Sequence, residues 1–131
     1  MKNRTEKQKT GDFGEKYAAN YLRLRGYTVR ERNWRSGHHE LDIIATRFGV
    51  IAFVEVKTRS YTPETIAILP PPGNAVKADK KRATRHAANR YLYEHPTKKK
   101  PRMDVIEIWL EQRPNGKKPK VLRIRHLTGA Y

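Results

Sequence analysis

Three charged residues stand inside otherwise apolar, strand-like segments of this chain. Asp42 lies within Glu-Leu-Asp-Ile-Ile-Ala (residues 40–45), and Glu55 and Lys57 lie within Phe-Val-Glu-Val-Lys-Thr (residues 53–58). A buried carboxylate is costly unless a cation, a hydrogen-bond donor or a metal ion compensates its charge. The pattern therefore predicts a functional site at these positions.

The spacing of these residues indicates which of them can meet. Side chains alternate across a strand, so Glu55 and Lys57 share one face, and Glu40 and Asp42 share another. Residues 47–49 can form a hairpin that makes the two strands antiparallel neighbours. If the hairpin joins these faces, the carboxylates of Glu40, Asp42 and Glu55 converge with the main-chain carbonyl of Val56. We predict these four as the metal ligands, because oxygen ligands of this kind suit Mg²⁺ or Mn²⁺. Glu40, at the strand entrance, could instead face water or reach the metal through a bridging water, so both interpretations of Glu40 stay open.

The chemistry that this set could perform is phosphodiester cleavage. Cleavage needs an activated water and stabilisation of charge on the phosphoryl oxygens, which a hard cation and a lysine supply together. Asp42 and Glu55 would hold the metal, and Lys57 would orient the water or neutralise the phosphate. Glu15, in the opening turn of the first helix, joins the predicted catalytic residues if that helix end reaches the sheet. Acids in a first turn are also favoured by the helix dipole, so both interpretations of Glu15 stay open.

The elements that must position these residues can be placed from periodicity and punctuation. A helix is predicted from Asp12, capped by Thr10 or Asp12, to a stop at Gly26. A proline-rich loop over residues 60–74 precedes a basic helix capped by Asn74. The strands are predicted at residues 27–33, 40–46, 50–58, 102–110 and 121–127. The order αβββαββ predicts a single α/β domain over residues 11–131, preceded by a loose basic arm over residues 1–10.

The charge balance points to a polyanionic partner. The 131 residues include 29 Lys and Arg against 13 Asp and Glu, a formal charge of +16. The charge is spread over several segments and no helix combines it with a broad apolar face, so nucleic acid, most of all DNA, fits better than a membrane. The residues predicted to bind nucleic acid are Arg59, Lys77, Lys80, Lys81 and Arg85.

Composition excludes several other classes of function. The absence of cysteine rules out disulfides, thiolate nucleophiles, zinc knuckles and iron–sulfur clusters. The first ten residues lack the apolar stretch of a signal peptide, and no run approaches transmembrane length. A cytoplasmic location is the expectation by default.

The residues then resemble a known family. Gly14-Glu15, Glu40-Leu41-Asp42, residues 53–59, Lys80 with Ala87, and residues 102–105 look like landmarks of the YraN-like family of predicted endonucleases, within the PD-(D/E)xK superfamily. The resemblance covers residues 11–131. It implies a restriction-endonuclease-like sandwich, with a mixed central sheet flanked by helices. Through Glu15 it also implies a likeness to Holliday-junction resolvases, and hence a homodimer acting on branched or junction DNA.

Other interpretations compete with a metal-dependent deoxyribonuclease. Glu55 and Lys57 could form a simple salt bridge at a strand end. The chain could be a non-catalytic DNA- or RNA-binding protein on a nuclease-like fold, or a basic ribosome-associated protein. A metal-free RNA endonuclease would use His39 or His126 as its acid or base. Asp104 and Glu107 are interpreted as surface or hydrogen-bonded groups outside the site.

Overall fold

The computed structural model describes residues 5–62 and 78–131. Within these ranges the helices are α1 (Glu6–Leu24) and α2 (Ala78–Glu94). The strands in the same ranges are β1 (Thr28–Ser36), β2 (His39–Arg47), β3 (Val50–Tyr61), β4 (Lys100–Glu111) and β5 (Lys120–Leu127). The predicted order αβββαββ is confirmed.

The five strands form one mixed sheet in the order β1-β2-β3-β4-β5. Neighbouring strands are antiparallel except β3 and β4, which are parallel. A parallel pair needs a crossover connection, and α2 lies on the chain between these two strands. The predicted hairpin of β2 and β3 is confirmed by the register Arg47↔Val50 to Ile43↔Val54.

The two helices cover opposite faces of the sheet. Ala18 and Leu22 of α1 pack in a buried cluster with Val54, whereas Ala87 of α2 packs in a second cluster with Phe53. Since Phe53 and Val54 are adjacent in one strand, their side chains point to opposite faces. This explains the near-continuous apolar runs of β2 and β3, and the α/β sandwich agrees with the predicted fold class. Among the described residues, neither helix is long and apolar enough to span a membrane.

The first helix begins earlier than its apolar pattern indicated. Thr5, rather than Thr10 or Asp12, caps α1, and it forms a capping box with Gln8. Residues 6–10 are therefore helical, and the prediction of a loose arm through residue 10 was wrong for them. The extra turns carry Glu, Lys and Gln, which favour helix but show no apolar periodicity.

The ends of β3 and β4 also differ from the prediction. Their parallel ladder runs from Val50↔Lys100 to Tyr61↔Glu111, so both strands extend beyond their apolar cores. Main-chain pairing, which does not depend on side-chain polarity, accounts for the added residues. Ser60 and Tyr61 are therefore strand and not loop, and the rest of the predicted proline-rich loop, with the Asn74 cap, lies outside the described residues apart from Thr62.

Two acids assigned to the surface or to hydrogen bonds are fully buried in β4. Asp104 accepts hydrogen bonds from Arg102, from His126 Nε2 (2.8 Å) and from the Gly129 N–H (3.0 Å). Burial opposes its ionisation, but the bonds from His126 and Arg102 outweigh burial and lower the pKa of Asp104. Glu107 is 1% exposed, and neither carboxylate oxygen has a hydrogen-bond partner within the described part of the chain. The prediction that Asp104 and Glu107 lie at the surface is therefore wrong for both residues. The alternative prediction, that they are hydrogen-bonded, is confirmed for Asp104.

Candidate metal-binding active site

The site lies where β2 and β3 separate. Their ladder ends at Ile43↔Val54, and just beyond it the Val56 N–H donates to Asp42 Oδ2 at 2.9 Å. Beyond the end of the main-chain ladder, the Asp42 side chain is thus the hydrogen-bond acceptor for β3. The hydrogen bond fixes the carboxylate of Asp42 in the fork between the two strands.

A local irregularity in β1 faces the same fork. The register Arg32↔Ile43 and Trp34↔Leu41 places Asn33 opposite Asp42, and Asn33 has a φ of +53°. Asparagine tolerates this region better than most residues. With its amide nitrogen turned toward the acids, Asn33 donates to Glu15 Oε2 (2.9 Å) and Glu40 Oε1 (3.0 Å). Asn33 therefore bridges two of the predicted site residues.

Close packing of α1 on β3 brings Glu15 to the fork. A Cβ at Gly14 would overlap Thr58 Oγ1 and lie 2.9 Å from Thr58 Cβ, so only glycine allows this approach. One carboxylate oxygen from each of Glu15, Glu40 and Asp42 lies within 4.8 Å of the others. Glu15 was predicted to lie in the first turn of this helix. Because α1 begins at Glu6, Glu15 lies beyond that turn. The helix dipole therefore does not explain its position.

The crowding of carboxylates changes their ionisation. The pKa of Glu15 is raised from 4.5 to about 7, chiefly by burial and then by the charge of Asp42. Burial and the charge of Asp42 likewise raise the pKa of Glu55 to about 7. Burial also raises the pKa of Asp42, against the hydrogen bond from Val56. Burial and the neighbouring carboxylates therefore both oppose ionisation of the cluster.

The positive charge beside Glu55 comes from helix α2. Lys80 Nζ lies 3.8 Å from Glu55 Oε1, and within the described part of the chain no donor group reaches the buried Glu55 Oε2. Glu40 has its own partner, since Arg35 lies 3.3 Å from its Oε2. Lys80, predicted to contact nucleic acid, is thus placed next to the carboxylates.

Lys57 is exposed and lines a cleft beside the acids. The cleft has a volume of about 660 Å³ and is also lined by Glu15, Val56 and the first turns of α1. The structure therefore brings Glu15, Glu40, Asp42 and Glu55 together at the fork, with Lys57 at the rim. The Val56 N–H donates to Asp42, and the Val56 side chain packs against the buried apolar cluster between α1 and the sheet.

The other residues predicted to bind nucleic acid, unlike Lys80, have no ion pair with the clustered acids among the described contacts. Lys81 Nζ and the Arg85 guanidinium each lie 5.5 Å from the centre of the Tyr131 ring. Arg59 is half-buried, and its Nε has no hydrogen-bond partner among residues 5–62 and 78–131. Lys77 lies outside the described residues.

Tyr131 is a residue near the site that sequence reasoning missed. Burial raises the pKa of its hydroxyl, and the charges of Glu55 and Asp42 add to that effect. The preceding residues are tied down by the Gly129 N–H to Asp104 and by the Ala130 N–H to the Met103 carbonyl (2.7 Å). No local sequence pattern indicates that residues 129–131 pack back against β4 near the site. For Asn33, a poor strand former inside a strand was an available signal.

The two histidines of the metal-free alternative have other contacts in the structure. His126 is 2.8 Å from Asp104 and only 9% of its side chain is exposed, so it belongs to the Asp104 network. His39 makes an edge contact with His86, with ring centres 5.3 Å apart. The cluster of possible ligands that the described residues form contains acids alone.

Comparisons with known proteins give a consistent family result. The sequence model described as "Uncharacterised protein family UPF0102" matches residues 14–108. A UPF0102 protein of Bacteroides fragilis is 41% identical over 98 residues, which cover 75% of this chain and 77% of the relative. A UPF0102 protein of Bacteroides thetaiotaomicron is 37% identical over 96% of this chain and 94% of its own length. One from Caldanaerobacter subterraneus subsp. tengcongensis is 33% identical over 98% of both chains.

Proposed function

The chain belongs to the UPF0102 family, and from the acids gathered at its strand fork we propose that it is a metal-dependent endonuclease acting on DNA. The single observation that carries this proposal is the convergence of Glu15, Glu40 and Asp42 within 4.8 Å, with Glu55 beside Asp42. The membership agrees with the resemblance seen in the sequence motifs. Fold alone does not assign chemistry, so the proposal rests on the site.

The donor set fits a hard divalent cation. Carboxylate oxygens are the ligands that Mg²⁺ and Mn²⁺ prefer, and no thiolate is available in the chain. Burial, and after it the charge of Asp42, raises the pKa of Glu15 and of Glu55, and a bound cation would favour the charged carboxylates against both effects. Asp42, Glu55 and Glu40 would hold the metal, with the Val56 carbonyl and Glu15 as further oxygen ligands.

The residues around this set have distinct roles in the proposed reaction. When bound, such a cation lowers the pKa of a coordinated water and stabilises charge on phosphoryl oxygens. Lys57, at the rim of the cleft, would orient the attacking water or neutralise the phosphate. Lys81 and Arg85, on the helix that borders the site, would contact the phosphates that flank the cut.

The proposed substrate is DNA held by its backbone. The formal charge of +16 supports a partner with regularly spaced phosphates, and binding of this kind weakens steeply as salt rises. Branched or junction DNA is the form that the resolvase-like motifs favour. A homodimer would then cut two strands symmetrically, and sedimentation of the purified protein tests that assembly.

The experiment is a cleavage assay with purified protein. Junction, flap, nicked, single-stranded and duplex DNAs are incubated with Mg²⁺ or Mn²⁺, and the cuts are mapped. We expect metal-dependent cutting that Asp42→Asn and Lys57→Ala lower by at least about a hundredfold, while both variants still bind the DNA. Cutting that persists in a chelator would contradict the proposal.

One contact favours a second candidate function. Lys80 lies 3.8 Å from Glu55 and supplies a positive charge where a cation would otherwise act. A non-catalytic DNA- or RNA-binding protein on a nuclease-like fold would retain such an ion pair. In that case the assay gives salt-sensitive binding, no cutting with either metal, and no change in binding with Asp42→Asn.

A further inference from the structure

An exposed aromatic ring occupies the turn at the opposite end of the hairpin from the acids. The register Arg47↔Val50 leaves Phe48 and Gly49 as a two-residue turn. Phe48 is 86% exposed and has a φ of +52°, a region that favours glycine and is unusual for a bulky side chain. The backbone conformation is unfavourable for phenylalanine and the exposed ring gains little burial in return, so the fold itself does not explain the residue.

Three basic residues lie at this ring or at the main chain of its turn. The Arg47 guanidinium lies 5.7 Å from the centre of the Phe48 ring and 4.5 Å from the centre of the Tyr27 ring, and it is held there by a hydrogen bond to the Arg25 carbonyl (2.9 Å). Lys99 Nζ donates to the Phe48 carbonyl at 2.6 Å, and the Lys100 N–H donates to the Gly49 carbonyl at 2.7 Å. These bonds fix the start of β4 beside the turn.

We propose that Arg47, Phe48, Lys99 and Lys100, here called the distal turn surface, bind a single-stranded segment of DNA. The Phe48 ring would stack on an unpaired base, and the three cations would contact the adjoining phosphates. Stacking of bases on aromatic side chains with cations along the backbone is the general mode of single-strand recognition. Bases inside a duplex are stacked on both sides, so the ring would engage an unpaired base in preference to the paired ones.

The position of the distal turn surface makes the proposal more specific. Phe48 directly follows the end of β2 and is six residues from Asp42, which corresponds to about 20 Å of extended chain at roughly 3.3 Å per residue. That length matches about six stacked nucleotides at roughly 3.4 Å each. This step rests on the proposed function, and it predicts a substrate whose unpaired region begins about six nucleotides from the cut.

The test measures binding in a chelator, so that it does not depend on cleavage. Fluorescently labelled blunt duplex and the same duplex with a single-stranded arm are titrated with protein. Phe48→Ala should weaken binding of the armed DNA about tenfold and change binding of blunt duplex less than about twofold. Phe48→Trp should retain the affinity, and its fluorescence should be quenched by the armed DNA alone.

Matched variants separate base stacking on Phe48 from the effects of losing an exposed apolar side chain or a positive charge. Leu24 is 88% exposed and apolar but has no aromatic ring, so Leu24→Ala should leave both affinities unchanged. Lys100→Ala keeps the main-chain bond to Gly49 and should lower the slope of log affinity against log salt by about one. The proposal is overturned if Phe48→Ala binds the armed DNA as tightly as wild type does. It is also overturned if the substitution weakens binding of the armed DNA and of the blunt duplex equally. Failure of the nuclease assay would leave this result intact.

Discussion

At the scale of single residues, the main feature is a group of acids that resist ionisation. Glu15 and Glu55 each have a pKa of about 7 in place of the usual 4.5, with burial as the first cause. Sequence reasoning placed Asp42, Glu40 and Glu55 together, because alternation and a short turn determine which strand residues meet. It missed Asn33 and Tyr131, whose positions depend on a backbone irregularity and on a distant return of the chain.

The raised pKa values predict how stability depends on pH without metal. Between pH 4.5 and about 7 the folded protein binds more protons at Glu15 and Glu55 than the unfolded chain does. The free energy of unfolding therefore falls as pH rises through that window, and it levels off above pH 7. Glu55→Gln removes one of these groups, so its stability relative to wild type should rise across the window. Urea denaturation in a chelator at several pH values measures this. A relative stability independent of pH would contradict the assignment.

At the scale of elements, the approach of α1 to β3 determines where Glu15 lies. The alternating and apolar patterns were enough to predict the seven elements and their order. They could not predict the first turns of α1 or the added residues of β3 and β4, because those depend on capping and main-chain pairing. The contact between Gly14 and Thr58 was equally invisible, since it joins residues 44 positions apart in the chain.

Two glycines of one helix provide a matched test of this packing. Gly14→Ala should lower stability by about 1–3 kcal/mol, because its Cβ would overlap Thr58. Gly11→Ala is the control, since nothing lies within 4 Å of its added Cβ, and it should raise stability by about 0.5–1 kcal/mol. Thermal unfolding of both variants, and of Gly14→Ala combined with Thr58→Gly, checks the account. Equal effects of the two alanines would show that α1 is not limited by Thr58.

At the scale of the whole molecule, a buried network connects the sheet to the last residues of the chain. Asp104 joins Arg102 and His126 from neighbouring strands, and Arg102 also donates to the Tyr27 hydroxyl (2.5 Å). The same carboxylate accepts from Gly129, two residues before Tyr131. The network thus links the fold of β4 and β5 to the placement of a ring beside the acids.

Removing the charge of Asp104 should therefore affect both stability and the end of the chain. Asp104→Asn leaves Arg102 without its charged partner and should lower the free energy of unfolding by about 3 kcal/mol. Because the pKa of Asp104 is lowered in the fold, its contribution is present at neutral pH and is lost as pH falls below 3.8. Hydrogen exchange of the Gly129 and Ala130 amides checks the second effect. Protection of both amides equal to wild type would contradict the anchoring role.

Locating Mn²⁺ in crystals of the protein by anomalous scattering tests the proposed metal site directly. We predict a peak at the fork, bound by oxygens of Asp42 and Glu55 together with Glu40 or Glu15, with Lys80 displaced from Glu55. Asp42→Asn should abolish that peak under the same conditions. An empty fork at saturating Mn²⁺, with Lys80 still paired to Glu55, would contradict the metal site and with it the proposed nuclease.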